Sequence, residues 1–224
     1  MTSSLYTRRL QHFMEQVTIY PVSCEKLACG RSDIEWLAGV LAGGAKIVQL
    51  RDKISDDRTL LAKAREFRRM TSEAGALFMV NNRLDIALLA EADGLHLGNS
   101  DIPAQEARRL GPELIIGVSA NTEAQAAAAK EKGASYYNIG PLFATQTKAG
   151  LHSFLGAQAI TTYSAHSDLP FTVMGGIKQE HIAELVGLGA RRLAVVTALT
   201  GADDIARETR QWHEAIRHAS QEQK

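Results

Sequence analysis

An α/β barrel is predicted by three features of the sequence. Eight short apolar runs rich in Val, Ile, Leu or Tyr alternate with stretches of helical periodicity, a joint of Gly and small residues recurs where helix gives way to strand, and polar or basic residues gather just after the runs. Such alternation argues for a parallel sheet, and eight is the strand number of the common barrel. The carboxyl ends of parallel strands open on one face, which is where barrels and open sheets place their chemistry. A doubly wound open sheet uses the same joints and is the competing architecture.

Residues 1–16 read as an amphipathic helical extension, with Leu5, Leu10, Phe13 and Met14 apolar among Arg8, Arg9 and Gln11, suited to cover the barrel floor or a subunit contact. The first strand is expected over 17–22 and the first barrel helix over 34–42. Strand 46–50 pairs with helix 57–74, strand 77–80 with helix 83–90, and strand 94–97 with helix 104–110. The second half repeats the pattern: 114–118 with 123–132, 136–139 with 157–165, 171–174 with 179–188, and 192–196 with 203–218. The joints at 42–46, 90–94, 132–135 and 188–191 each contain a Gly able to take the left-handed conformation that ends a helix. They recur about once per βα unit, as in a single barrel rather than tandem domains. One domain over 1–224 is therefore expected, with 219–224 a frayed polar tail.

A chain of 224 residues with 45% hydrophobic content supports one well-buried core. Lys+Arg and Asp+Glu both number 25, so no global charge draws the protein to nucleic acid or an anionic membrane, and anion binding must be local. The longest apolar stretches fall short of a bilayer span, and the amino terminus lacks a basic-then-apolar pattern. The expectation is a soluble, cytoplasmic protein. Cys24 and Cys29 lack the second Cys or His pair of a zinc site and read as two ordinary thiols.

Three constellations carry chemistry. Gln49, Arg51 and Lys53 project to one side of an extended chain, because side chains alternate with period two; two cations facing one way call for a counter-anion, and the Arg fork matches a phosphate. Thr145, Thr147 and Lys148 follow the turn at Gly140-Pro141 on a loop able to wrap a diphosphate. Gly175-Gly176 ends a strand and opens a helix, leaving backbone N–H groups for a second anion, with Thr197 on the neighbouring turn. Asn82 and Asp101 offer oxygen atoms to Mg2+, which takes one or two carboxylates, phosphate oxygens and waters. His96 reads as a satisfied interior histidine rather than a base, and no Ser/His/Asp or Cys/His grouping suggests nucleophilic hydrolysis.

In their order and spacing these motifs resemble the thiamine phosphate synthase family over about residues 18–216. The marks are Val48-Gln49-Leu50-Arg51-Asp52-Lys53, Asn81-Asn82-Arg83-Leu84-Asp85-Ile86-Ala87, Ala92-Asp93-Gly94-Leu95-His96-Leu97-Gly98, Gly117-Val118-Ser119, Gly140-Pro141 with Thr145-Gln146-Thr147-Lys148, and Gly175-Gly176-Ile177. The resemblance implies a barrel transferase that joins hydroxymethylpyrimidine diphosphate to a thiazole phosphate with Mg2+, releasing pyrophosphate. By matching motif, Gln49, Arg51, Lys53, Asn81, Ser119 and Lys148 would hold the pyrimidine diphosphate, with Arg51, Lys53, Ser119 and Lys148 the catalytic set. Asp101, with Asn82, would hold the metal, and Thr145, Thr147, Gly175, Gly176 and Thr197 would line the thiazole phosphate site. Small molecules are the implied partners, and family members together with apolar helix faces point to a homo-oligomer.

The chain departs from the family pattern at named positions. Asn82 stands where the family commonly has Asp, Ser23-Cys24 where Thr-Asp is frequent, Phe143-Ala144 where a proline usually precedes Thr145, and Asn121 where a histidine often follows Ser-Ala. Two other readings therefore stay open: a thiazole tautomerase, which shares the barrel and lacks the metal carboxylates but uses a histidine at the Asn121 position, and a barrel that binds a phosphorylated ligand without reaction.

Overall fold

The structure, a computed structural model, describes residues 4–145, 147 and 153–223. Its strands are β1 (Ile19–Pro21), β2 (Ile47–Leu50), β3 (Leu77–Asn81), β4 (Gly94–Leu97), β5 (Ile115–Ala120), β6 (Tyr136–Ile139), β7 (Phe171–Met174) and β8 (Leu193–Val195). All neighbours are parallel, in the order β1-β8-β7-β6-β5-β4-β3-β2. The two outer strands meet as well: Val22 bridges to Gln49, and the Ser23 N–H donates to the Gln49 carbonyl at 2.9 Å. That contact closes the ring and decides for the barrel over the open sheet.

The helices are α1 (Leu5–Gln16), α2 (Asp33–Ala42), α3 (Asp57–Ala74), α4 (Leu84–Leu89), α5 (Ala104–Leu110), α6 (Glu123–Ala128), α7 (Ala159–Ser164), α8 (Ile182–Gly187), α9 (Thr197–Thr200) and α10 (Ile205–Gln221). Local chemistry sets their starts. Ser32 and Glu35 form a capping box on α2, Thr122 and Gln125 one on α6, and Asp56 and Asp204 cap α3 and α10. Three joints turn through a left-handed Gly as expected, but at 90–94 Glu91 takes that conformation (φ 52°). Gly94 lies inside β4, where a Cβ would strike Met79 and the Ile115 carbonyl.

Two departures from the expected elements have simple causes. Helix α9 was read as a turn, because four residues show no periodicity. Helix α10 runs to Gln221, past the expected start of the tail at 219, because Ala219 is buried along one helix face with Trp212 and Ile216. Among the described residues no helix is long and apolar enough to cross a membrane.

Strand alternation sorts the side chains into two cores. Val48, Leu50, Phe78, Val80, Leu95, Ile116, Tyr137 and Ile139 pack outward against the helices. Tyr20, Val22, Ile47, Leu77, Met79, Ile115, Tyr136 and Ala194 fill the interior, with Phe13 of α1 beneath them. Helix α1 thus stops the barrel floor, as its amphipathic pattern anticipated. Buried Arg192 holds it there, donating to the carbonyls of Phe13 at 2.8 Å and Met14 at 2.6 Å, while Arg9 pairs with Asp93 at 2.9 Å.

Candidate active site

The same parity that puts Ile47 and Met79 in the interior carries their strands' carboxyl ends to Gln49 and Asn81. These two begin a line of interior side chains that continues through β1, β6, β4 and β5. The Asn81 amide donates to Gln49 Oε1 at 2.9 Å, and Gln49 Nε2 donates to the Tyr20 hydroxyl at 2.9 Å. Tyr20 and Tyr136 share a hydroxyl–hydroxyl bond of 3.1 Å. Tyr136 lies 3.1 Å from His96 Nδ1, and His96 Nε2 lies 3.2 Å from Ser119 Oγ. Burial pushes the His96 imidazole down to about 4, against the opposing pull of Asp101. A neutral ring satisfied on both nitrogens matches the reading of His96 as an interior histidine.

Beyond Gln49 the strand ends at Leu50, and Arg51 and Lys53 follow on the loop. The Arg51 amide donates to Ser23 Oγ at 3.0 Å; its guanidinium reaches Cys24 Sγ at 3.7 Å and makes no hydrogen bond or ion pair to another described residue. The Lys53 ammonium donates to Asn82 Oδ1 at 2.8 Å. Asp52, between the two cations, turns the other way. It accepts from the amides of Ile54 and Ser55 at 3.0 Å and from the Ser55 hydroxyl and Lys63 ammonium at 2.7 Å. Burial opposes its charge, but these donors outweigh it and hold the carboxyl well below the usual carboxylate range.

Glu25, Asp33 and Asp52 are close enough together to suggest a cation site. Lys63 already fills it, with its ammonium 2.7 Å from an oxygen of each. The donor set that suits a divalent ion lies at the mouth instead. Asp101 Oδ2 accepts from the Gly98 N–H at 2.6 Å and contacts Asn82 Nδ2, while Oδ1 has no partner among the described residues. One open carboxylate oxygen close to Lys53 and Asn82 fits Mg2+, which takes few protein ligands and completes its shell with other oxygens and water. Asn82, in the left-handed region (φ 66°), directs its oxygen to Lys53, so of the two residues Asp101 has the oxygen more available to a cation.

A small pocket forms between β7 and β8, where the sequence leads to the expectation of a second anion site. Met174, Gly175, Gly176, Ile177, Val196 and Thr197 line one pocket. Gly175 (φ 108°) and Gly176 (φ 61°) are left-handed, and a Cβ on Gly176 would strike the Ala144 carbonyl, so the 141–144 loop lies directly on this turn. Thr145 follows, its hydroxyl 3.1 Å from that of Thr147. Lys148 lies outside the described residues.

The structure thus brings Gln49, Asn81 and Ser119 into one network, Lys53, Asn82 and Asp101 into a second, and Gly175, Gly176 and Thr197 into a third. Sequence reasoning passed over Tyr20, Tyr136, Asn138 and Lys63. The first three share the inward parity of their strands, a signal present in the pattern; Asn138 accepts from the Thr172 hydroxyl at 2.8 Å. Lys63 gave no signal, because its partners come from three separate segments.

Comparison with known proteins places this geometry. The sequence profile described as thiamine monophosphate synthase matches residues 19–199. The thiamine-phosphate synthase of Moorella thermoacetica is 42% identical over 207 residues, covering 92% of this chain and 99% of that protein. That of Pelotomaculum thermopropionicum is 40% identical, covering 87% and 90%. The solved thiamine phosphate pyrophosphorylase of Pyrococcus furiosus superimposes with a TM-score of 0.83 at 29% identity, covering 91% of this chain and 96% of that one.

Proposed function

The chain belongs to the thiamine monophosphate synthase family, and on that premise we propose that it condenses hydroxymethylpyrimidine diphosphate with thiazole phosphate, forming thiamine phosphate and pyrophosphate. The observation that carries the reading is that the loops after β2 and β4 carry Arg51, Lys53 and Asp101, with Lys53 linked to Asp101 through Asn82, next to a polar interior of Gln49, Asn81 and Ser119. The reaction breaks a C–O bond to diphosphate and forms a C–N bond from the thiazole nitrogen. Negative charge grows on the leaving diphosphate, and positive charge is left on the pyrimidine methylene.

Arg51 and Lys53 bind the diphosphate and meet its growing charge, a contribution realised in the transition state. Lys148 is assigned to the same group by its motif. Gln49, Asn81 and Ser119 orient the pyrimidine, whose amino group supports the cation. Gly175, Gly176, Thr145, Thr147 and Thr197 hold the thiazole phosphate so that its nitrogen faces the methylene. Asp101, with Asn82 nearby, would hold Mg2+, which when bound adds charge stabilisation to the diphosphate. No protein base is required, in keeping with a neutral, doubly bonded His96.

The tautomerase reading finds no support at position 121. Asn121 donates its amide to the Gly140 carbonyl and accepts from Asn99 at 2.6 Å, so it spans two loops and offers no base. Single-turnover formation of thiamine phosphate from both precursors, run across a Mg2+ titration, tests the proposal. Product at a raised Mg2+ requirement is expected. No product at any Mg2+, with the diphosphate still bound, would leave a ligand-binding barrel.

A further inference from the structure

We propose that Tyr20, Tyr136 and His96 are positioning residues that fix Ser119 as a hydrogen-bond donor towards the substrate. The side chains Asn81, Gln49, Tyr20, Tyr136, His96 and Ser119 form one unbroken line across the barrel interior, with links of 2.9, 2.9, 3.1, 3.1 and 3.2 Å. Tyr20 and Tyr136 are fully enclosed, so each hydroxyl hydrogen must find an acceptor inside the protein. That requirement sets the direction of every link.

Gln49 meets Tyr20 with an N–H, which can only donate, so among the described residues the Tyr20 hydrogen has Tyr136 as its acceptor. Tyr136 then cannot donate back, and its hydrogen goes to His96 Nδ1. A neutral imidazole that accepts at Nδ1 carries its proton on Nε2 and donates to Ser119 Oγ. The Ser119 hydroxyl hydrogen is thereby turned away from the relay and has no acceptor among the described residues. It is offered to a lone pair or anionic oxygen of whatever occupies the mouth. Gly117 makes the relay possible, because a Cβ there would fall on the Tyr136 ring.

The inference rests on the synthase reading only for the identity of that acceptor, the pyrimidine diphosphate. Were both amides turned over, every link would reverse: His96 would carry its proton on Nδ1, and Ser119 would spend its hydrogen on Nε2. Nitrogen-15 NMR of histidine-labelled full-length protein without substrate separates the two, His96 being assigned by loss of its signals in His96→Gln. The Nε2–H tautomer is expected; Nδ1–H or an imidazolium at neutral pH overturns the relay.

Kinetics supply the second arm. Ser119→Ala and Tyr136→Phe should each raise KM for the pyrimidine diphosphate roughly fivefold, as loss of one neutral hydrogen bond does, with kcat moved less. The double variant should be no worse than Ser119→Ala alone, because the tyrosine acts through the serine. Effects that multiply would show a general packing role and sink the proposal. If the wild-type chain makes no thiamine phosphate, the synthase reading fails, while the tautomer of the free protein still decides the relay.

Discussion

The Lys63 ammonium lies 2.7 Å from Asp52 Oδ2, and this bond ties helix α3 to the loop that carries Arg51 and Lys53. Asp52 shares no side of the chain with its neighbours; it faces back into the protein so that they face out. Lys63 also neutralises part of the charge on Glu25 and Asp33, the latter with its carboxyl pushed up by burial. Lys63→Met would leave these acids facing one another without a cation. A stability loss of about 3–5 kcal/mol is expected, in line with breaking a buried pair. Urea denaturation measures it, and KM for the pyrimidine diphosphate should rise as the loop loses its anchor.

The acid limb of stability follows from the same bond. Asp52 is ionised in the fold well below its ordinary value of 3.8. The unfolded chain therefore takes up this proton first, and the contribution is full above about pH 4 and is lost as pH falls through and below that value. Asp52→Asn should flatten this part of the profile. Denaturant midpoints between pH 6 and pH 3 test it, and parallel profiles for the two proteins would rule it out.

Asn82→Asp should lower the Mg2+ concentration required for turnover. A second negative charge near the ion is worth about 1–4 kcal/mol at ~4 Å, depending on screening, so a shift in half-saturation of about fivefold or more is expected. Asp tolerates the left-handed backbone of position 82 nearly as well as Asn does. Isothermal titration with Mg2+ and pyrophosphate gives the shift without catalysis.

Arg51→Ala should cost roughly 10- to 100-fold in kcat/KM, the range for a hydrogen bond to a charged group. Because the guanidinium makes no hydrogen bond or ion pair to a described residue besides the long contact to Cys24 Sγ, stability should change little. Arg51→Lys should recover part of the loss, since it restores charge but not the fork. A variant with wild-type turnover at saturating diphosphate would remove Arg51 from the catalytic set.

Gly176→Ala should raise KM for the thiazole phosphate and leave that for the diphosphate close to wild type. Its left-handed backbone and the overlying Ala144 carbonyl resist any side chain, so the 141–144 loop must shift. Steady-state kinetics in both substrates separate the two effects.

The sequence by itself determined the elements and their barrel arrangement. Short apolar runs such as 77–80 and 136–139 differ in length and pattern from helical stretches such as 57–74, and Gly at the joints supplies a backbone that few other residues adopt. A period-two reading puts Gln49, Arg51 and Lys53 on one side, but β2 ends at Leu50, and the loop beyond it turns Arg51 to Cys24 and Lys53 to Asn82. Tertiary structure alone decided what meets across the barrel. Closure through Val22 and Gln49, Lys63 among acids from three segments, and the line from Asn81 to Ser119 all join residues far apart in the chain. The physical reason is that alternation fixes which way a side chain points, while its partner depends on strand order, register and the shared need of buried polar groups for one another.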